Sequence, residues 1–270
     1  MPKRILILGG SGFVGSYLAN FFKPNFDVST TSSTGKDADL AFDVTRGDFT
    51  EIKNYDYIIN CIVSYENDLD QSIDVNVKGT FKLLEHLCNK NCHYINISSV
   101  SAASENFHQN IYSFAKHLTD EVVSYYRVKS VLKLTTLRFA QIYDGEGHAK
   151  KMQPGLFYFA EKIKQNEPLT IFGDKNKKRS YIPIEVLCKS VFFSLENGIV
   201  GNHNVIMPDN YSSLELANIF SKMTNWRPVF GFDEGTPAVQ YSIPECSPDF
   251  IPIIEMETNL PYFKILFDNV

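Results

Sequence analysis

Residues 4–15 read Arg4-Ile5-Leu6-Ile7-Leu8-Gly9-Gly10-Ser11-Gly12-Phe13-Val14-Gly15. Four apolar residues run straight into a glycine cluster, and a helical pattern over 14–22 follows. Two glycine templates fit at once, G-x-G-x-x-G from Gly10 and G-x-x-G-x-x-G from Gly9. Missing β-carbons permit a tight turn, let a backbone approach a pyrophosphate, and let a helix pack close to a sheet. The free N–H groups and positive end of the following helix then suit an anion. No G-K-[ST] closes the loop, so a nucleoside-triphosphate P-loop is excluded. The strand–loop–helix context points to a dinucleotide held by Gly9, Ser11, Gly12, Phe13, Val14 and Gly15. A merely structural turn is the alternative.

The pattern extends outward from this loop. Apolar runs over 4–8, 27–31, 38–42, 57–61, 93–97 and 133–139 predict strands, and their unbroken apolarity predicts parallel strands covered on both faces. Helices are expected over 14–22, 73–89 and 112–126, the second with a stripe of Val77, Phe81, Leu84 and Leu87. Beyond Arg138 the rhythm loosens. Helices are expected over 156–165, 184–196 and 212–223, and strands over 169–172 and 203–207, with a charged turn over 173–178. Residues 141–155 read as a loop, and 228–252 has no clear period. The expectation is an α/β fold. A Rossmann-type, doubly wound parallel sheet occupies 1–140 and a smaller C-terminal α/β substrate lobe occupies 141–270, interleaved as one folding unit.

Composition limits the partners. The 26 Lys and Arg against 31 Asp and Glu leave a charge of −5, with no basic stripe for nucleic acid. No apolar run reaches the ~18 residues of a membrane span, and the run at 5–8 is too short for a signal peptide. Five scattered cysteines suit a reducing, cytoplasmic compartment. His86, Cys88, Cys92 and His93 cluster in sequence, but no second pair stands at metal-site spacing, so no metal is expected.

Two further features carry chemistry. About 20 residues beyond the loop, where a ribose-reading carboxylate would stand, the sequence is Ser29-Thr30-Thr31-Ser32-Ser33. Small hydroxyls with Lys36 nearby leave room for a 2′-phosphate, which favours NADP (NADPH) over NAD; Asp27 or Asp37 reading the ribose is the alternative. Then Ser98-Ser99 end a strand, and Tyr112 is followed by Lys116 at i+4, one helical turn apart. A neighbouring cation is expected to draw the phenol below its ordinary pKa of ~10. Such a phenol exchanges a proton at a carbinol or carbonyl carbon while hydride moves to or from a nicotinamide. A solvated helix face is the bland alternative for the pair.

The chain resembles the extended short-chain dehydrogenase/reductases, the NAD(P)-dependent epimerase/dehydratase group acting mostly on nucleotide-sugars. The likeness spans residues 3 to about 225. It rests on Gly9-x-x-Gly12-x-x-Gly15, Phe42-Asp43-Val44, Asn76-Val77-x-Gly79-Thr80, Ser98-Ser99, Tyr112-x-x-x-Lys116, Leu137-Arg138-Phe139 and Ile171-Phe172-Gly173-Asp174. The resemblance implies Ser99, Tyr112 and Lys116 as the catalytic group, with Lys116 also on the nicotinamide ribose. It places Asp43 and Val44 by the adenine and Asn76 near the inner half of the cofactor. Cys61, Ile62 and Val63 stand where the family has His/Asn-x-Ala-Ala/Gly, and with Ser32, Ser33 and Lys36 they complete the expected cofactor contacts. Gln141, Phe172 and Arg179 would meet a nucleotide-diphosphate sugar, Arg179 as a planar fork for the diphosphate or as one more solvated charge. A homodimer through a four-helix bundle is implied, with Val122, Val123 and Tyr126 as candidates for its face; ordinary core is the equal alternative for these residues.

There are departures too. Val100-Ser101 replace the Asp-Glu pair that sugar 4,6-dehydratases need, so dehydration is not expected. The reading is NADPH-dependent reduction of a keto group, at C4, on a nucleotide-linked deoxy-hexose. The rivals are a nucleotide-sugar epimerase with tightly bound NAD and a non-catalytic NAD(P)-binding regulatory protein.

Overall fold

The computed structural model describes residues 2–46, 48–52, 54–224, 227, 229–233, 235 and 242–270. In chain order these form β1 (Arg4–Leu8), α1 (Phe13–Phe22), β2 (Asp27–Ser32), β3 (Leu40–Ala41), β4 (Tyr57–Asn60), α2 (Leu69–Ser72), α3 (Gly79–Leu87), β5 (His93–Ser99), α4 (Ile111–Lys129) and β6 (Lys133–Phe139). They continue with β7 (Gln141–Tyr143), α5 (Pro154–Lys164), β8 (Leu169–Phe172), β9 (Lys178–Pro183), α6 (Ile184–Glu196) and β10 (Gly201–Val205). The last are β11 (Asn210–Ser212), α7 (Ser213–Ser221), β12 (Phe230–Asp233), α8 (Ile251–Ile254) and α9 (Leu260–Asn269).

Two compact units divide the chain, Met1–Phe139 with Cys188–Asn204, and Ala140–Leu187 with Val205–Val270. The first is not one continuous stretch, because the chain returns to it: β10 adds to the sheet next to β6.

In the first unit seven strands lie in the order β10-β6-β5-β4-β1-β2-β3. The pairs β3·β2, β2·β1, β1·β4, β4·β5 and β5·β6 are all parallel. The order reverses at β1, between β4 and β2, which is the switch point where such sheets take ligands. Register aligns Leu6, Ile58, Tyr94 and Leu134 in one row. That row belongs to a buried core with Leu83, Leu84, Leu87, Val123 and Tyr126 of α3 and α4. Ile5, Ile7, Ile59 and Ile95, one residue out of phase, are also fully buried, so the strands are covered on both faces as their composition required.

The expected helix over 73–89 is interrupted. Ile73–Lys78 is a π-helical segment between α2 and α3. Within α3 the buried stripe is Thr80, Leu83, Leu84 and Leu87, at regular helical spacing, and Phe81 falls outside it. Phe81 is 46% exposed, while Leu83 joins Leu84 and Leu87 in the core. Of the two alternatives for Val122, Val123 and Tyr126, the core is where they lie. Val123 and Tyr126 belong to the core and Val122 packs on it, whereas Tyr125 and Val128 are the exposed apolar residues of α4.

The second unit holds a three-stranded sheet, β11-β9-β7, and a two-stranded one, β12-β8. β7 pairs β9 in parallel and β11 pairs β9 antiparallel. The loop expected over 141–155 therefore contains a strand, and the charged turn ends where β9 starts. Within the region 228–252, β12 pairs β8; Pro228, Glu234 and residues 236–241 lie outside the described residues. Side chains fix these short strands. Asn259, wholly buried, accepts from the Tyr143 hydroxyl at 2.8 Å and donates to the Tyr181 carbonyl at 3.2 Å. Asp209 in turn accepts from the Asn259 amide N–H and side chain at 2.9 and 2.8 Å.

Candidate active site

The glycine loop leaves the carboxyl end of β1 and opens α1. Gly9 adopts φ +74°, a left-handed conformation that strains any other residue. A β-carbon on Gly15 would stand 2.3 Å from the Gly9 carbonyl oxygen, so the first turn of α1 folds onto the loop only because that atom is missing. Gly12 caps α1 without a side-chain acceptor, and the first turn carries no acidic residue. The leading N–H groups of the helix are thus left for an outside anion. Beside the loop runs the chain leaving β4: the Cys61 N–H donates to the Leu8 carbonyl at 2.9 Å, and the Ile62 N–H to Asn60 Oδ1 at 3.1 Å. The structure brings Gly9 together with Cys61 and Ile62 at the switch point, and these residues fit a dinucleotide.

At the end of β2, Ser32 is buried and its hydroxyl donates to the Lys36 carbonyl at 2.9 Å, while Ser33 and Lys36 are exposed. Asp27 opens β2 at the opposite, amino end and pairs with Arg4 at 3.5 Å, which removes it as a ribose reader. Asp37 is exposed, with φ +54°. The Asp43 carboxylate is occupied locally, accepting from the Thr45 N–H at 2.9 Å and its hydroxyl at 2.7 Å. Val44 is buried and Val63 half-buried.

Two strands from β1, β5 ends in Ser99, whose hydroxyl accepts from the Ser101 N–H at 3.2 Å and lies 3.0 Å from the Ser101 hydroxyl. Asn110 caps α4 by accepting from the Ser113 N–H at 2.8 Å, which starts the helix one residue before Tyr112. Tyr112, Lys116 and Asp120 then follow at intervals of one turn. Lys116 is buried and donates to the Ile97 carbonyl at 2.9 Å. Burial lowers its pKa, opposed by the charge of Asp120. Asp120, fully buried, accepts from Arg138 Nε at 2.7 Å and from Asn96 at 3.3 Å. Desolvation raises its carboxyl and Arg138 opposes the rise.

One sequence expectation is overturned here. Tyr112 is raised well above the ordinary phenol range, first by desolvation and then by Tyr65, with Ser99 acting the other way. Burial outweighs the neighbouring cation, because the Lys116 ammonium is turned to the Ile97 carbonyl. Burial likewise pushes the Cys61 thiol up to about 12, so it is no nucleophile at neutral pH.

Asn76 is nearly inaccessible. Its Oδ1 accepts from the Ser64 N–H at 2.8 Å, and its Nδ2 donates to the Ser64 carbonyl at 3.2 Å and the Ser72 hydroxyl at 3.0 Å. The residue after Ser64, Tyr65, stacks on Tyr112. Tyr65 carried no sequence signal: a single tyrosine in an aperiodic loop is silent until its neighbours are known. Asp120 could have been found, as the next step of the i, i+4 series from Tyr112 and Lys116.

The second unit holds the remaining candidates. Gln141 in β7 lies opposite Tyr181 of β9, and Arg179 stands two residues before Tyr181 on the same strand. Alternation along a strand puts all three on one face of the small sheet. Gln141 Oε1 is buried with no partner among the described residues. Arg179 donates to the Ser213 hydroxyl at 2.9 Å. Phe172 ends β8, 49% exposed.

The model of the NAD dependent epimerase/dehydratase family matches residues 5–207. The chain is similar to a candidate UDP-glucose 4-epimerase of Methanocaldococcus jannaschii, 25% identical over 88% of both chains. It is 23% identical to UDP-glucuronic acid decarboxylase 1 of Arabidopsis thaliana over 86% of this chain, spanning only 61% of that longer protein. In fold it is similar to the UDP-glucuronic acid 4-epimerase of Bacillus cereus, whose structure contains UDP-glucuronic acid and NAD. That similarity has a TM-score of 0.81 and 17% identity, and covers 99% and 98% of the two chains. Among the described residues no helix is long and apolar enough to cross a membrane.

Proposed function

The chain belongs to the NAD dependent epimerase/dehydratase family, and from that premise we propose that it interconverts epimers of a nucleotide-linked sugar at C4 with a retained NAD. The observation that carries this reading is the spacing of Ser99, Tyr112 and Lys116 at the carboxyl end of β5, two strands from the glycine loop in one parallel sheet. The relatives move the reading from ketoreductase, the sequence expectation, to its epimerase rival. Those named above act, by name, on UDP-sugars, and two of the three are 4-epimerases by name.

Gly9, Ser11, Gly12, Phe13, Val14 and Gly15 would hold the pyrophosphate on the N–H groups opening α1. Asp43 and Val44 would stand by the adenine, and Cys61, Ile62, Val63 and Asn76 nearer the nicotinamide. When bound, the nicotinamide would supply reversible hydride transfer with the sugar carbon. The chain's own work is proton traffic at the sugar oxygen. Ser99 donates a hydrogen bond to that oxygen, and Tyr112 takes and gives back its proton. Burial keeps the Tyr112 phenol protonated at neutral pH, the state needed for giving. The taking half requires the Lys116 charge one turn along α4. Arg179 would pair with the diphosphate as a planar fork, and Gln141, whose oxygen has no partner among the described residues, and Phe172 would meet the nucleotide-sugar.

One observation favours NADPH-dependent ketoreduction as the second reading: no carboxylate ends β2, and Ser33 and Lys36 are exposed there. A single experiment separates the two. Purified protein is denatured and its supernatant assayed for NAD(H), and the native protein is incubated with UDP-glucose, UDP-glucuronic acid or UDP-N-acetylglucosamine without added cofactor. Released NAD and the appearance of the 4-epimer are expected. Turnover only with stoichiometric consumption of added NADPH would establish the reductase instead. A homodimer through α3 and α4 is supported by exposed Phe81, Tyr125 and Val128; a monomeric mass by light scattering would remove it.

A further inference from the structure

Tyr65 sits in the irregular segment between β4 and α2, 61% exposed, where an aromatic side chain ordinarily stays free. Its ring instead lies parallel to that of Tyr112, centroids 5.3 Å apart and planes 14° from each other. The segment beneath it is fastened at the preceding residue. Asn76 grips both the N–H and the carbonyl of Ser64, and the Ser64 hydroxyl accepts from the Glu66 N–H at 3.3 Å. Asn76 reaches this position from the π-helical segment, a distortion that often marks a functional site. Holding an exposed side chain in one rotamer costs conformational entropy, and here a buried clasp supplies the restraint.

We propose that Tyr65 is a positioning residue for Tyr112: held by the Asn76–Ser64 clasp, its ring fixes the plane of the phenol and covers one face of it from water. This rests on the reading above that Tyr112 carries the proton. The geometry gives the cover a chemical purpose. A phenol free to rotate or hydrate would present its hydroxyl to solvent as readily as to a sugar oxygen. A stacked one keeps its hydroxyl on the side of Ser99. The groups acting on the phenol come from three elements, Ser99 from β5, Asp120 from α4 itself and Tyr65 from the segment after β4. Tyr65 is the one among them whose removal exposes a ring face without disturbing a buried charge.

The test uses the full chain labelled with 3-fluorotyrosine, whose fluorine shift reports the ring's surroundings and whose H2O/D2O isotope shift reports its contact with water. The Tyr112 fluorine resonance is assigned by its loss in Tyr112→Phe. Tyr65→Ala is expected to move that resonance and to enlarge its solvent isotope shift. Tyr65→Phe, which keeps the stacked ring and removes only the hydroxyl, leaves the isotope shift near wild type. With a nucleotide-sugar substrate, Tyr65→Ala is expected to lower kcat roughly 10- to 100-fold with little change in KM, and Tyr65→Phe to restore it. An unmoved Tyr112 resonance and solvent isotope shift in Tyr65→Ala overturn the proposal, whatever happens to turnover. An unchanged kcat in Tyr65→Ala overturns it too. A shifted resonance in a protein that turns over no nucleotide-sugar upholds the stacking role and sinks the functional reading instead.

Discussion

The unit of residues 1–139 and 188–204 is built from parallel backbone ladders, with its chemistry at strand ends. The unit of residues 140–187 and 205–270 is built from two small sheets, secured by buried polar side chains such as Asn259 and Asp209. In the first, the central strands β1, β4, β5 and β6 carry apolar residues buried on both faces of the sheet, so chemistry placed after a strand arrives at a common edge. In the second, strands of three to six residues meet partners dozens of positions away, and the anchoring groups are single polar residues. The difference teaches where a change should act: on chemistry at the edge of the large sheet, on local architecture in the smaller one.

The largest expected effect is at that edge. Tyr112→Phe keeps the ring stacked and removes only the hydroxyl proposed to carry the proton, so kcat should fall by at least about 10²-fold while the melting temperature holds. Turnover close to wild type would separate the sheet edge from the chemistry.

Next comes the large sheet's response to acid. His93 opens β5, buried against Thr135 with 2.7 Å between Nε2 and the hydroxyl. Desolvation, helped by the Lys133 charge, lowers its pKa from 6.5 to about 4. The unfolded chain therefore binds a proton that the folded one refuses. The stabilising contribution of neutral His93 is complete above pH 6.5 and is lost as pH falls towards 4, on the order of 3 kcal/mol in all. Urea titrations across this window should be flatter in His93→Gln; an equal slope would show the histidine is irrelevant to acid stability.

In the smaller unit, Asp209→Ala takes the acceptor from the Asn259 backbone N–H and from the Thr258 and Tyr211 hydroxyls, and leaves the Asn259 side chain only the Tyr181 carbonyl to donate to. A loss of about 1–3 kcal/mol is expected, with faster hydrogen exchange in α9 and unchanged protection in β1, β4 and β5. Uniform acceleration across both units would dissolve the contrast between them.

The smallest effect is expected from Arg179→Ala, a roughly 10-fold rise in KM for the nucleotide-sugar with kcat nearly constant. A fall in kcat alone would assign Arg179 to the chemistry and not to binding.

Much of the large sheet was legible beforehand. β1 and β6 fall at their predicted limits, and β4 and β5 differ only at their ends. Ser99, Tyr112 and Lys116 were found by spacing. What escaped has one cause: dependence on contacts that local periodicity does not encode. The π-helical segment left no periodic mark, β7 looked like loop, and β9, short and mixed in polarity, was given no element beyond the turn that ends at Lys178. Tyr65 and Asn259 were single residues in aperiodic stretches.

By itself, then, the amino-acid sequence determined the parallel sheet, the glycine loop at its first strand and the Ser–Tyr–Lys set at its fifth. Backbone sterics, strand composition and helical spacing act over a few residues, and those few are contiguous. Tertiary structure alone decided the burial that raises the Tyr112 phenol, the direction of the Lys116 ammonium and the stacking of Tyr65 on the phenol ring. Desolvation and stacking depend on groups that the chain brings together from separate elements, and their balance overturned the electrostatic expectation drawn from Lys116 alone.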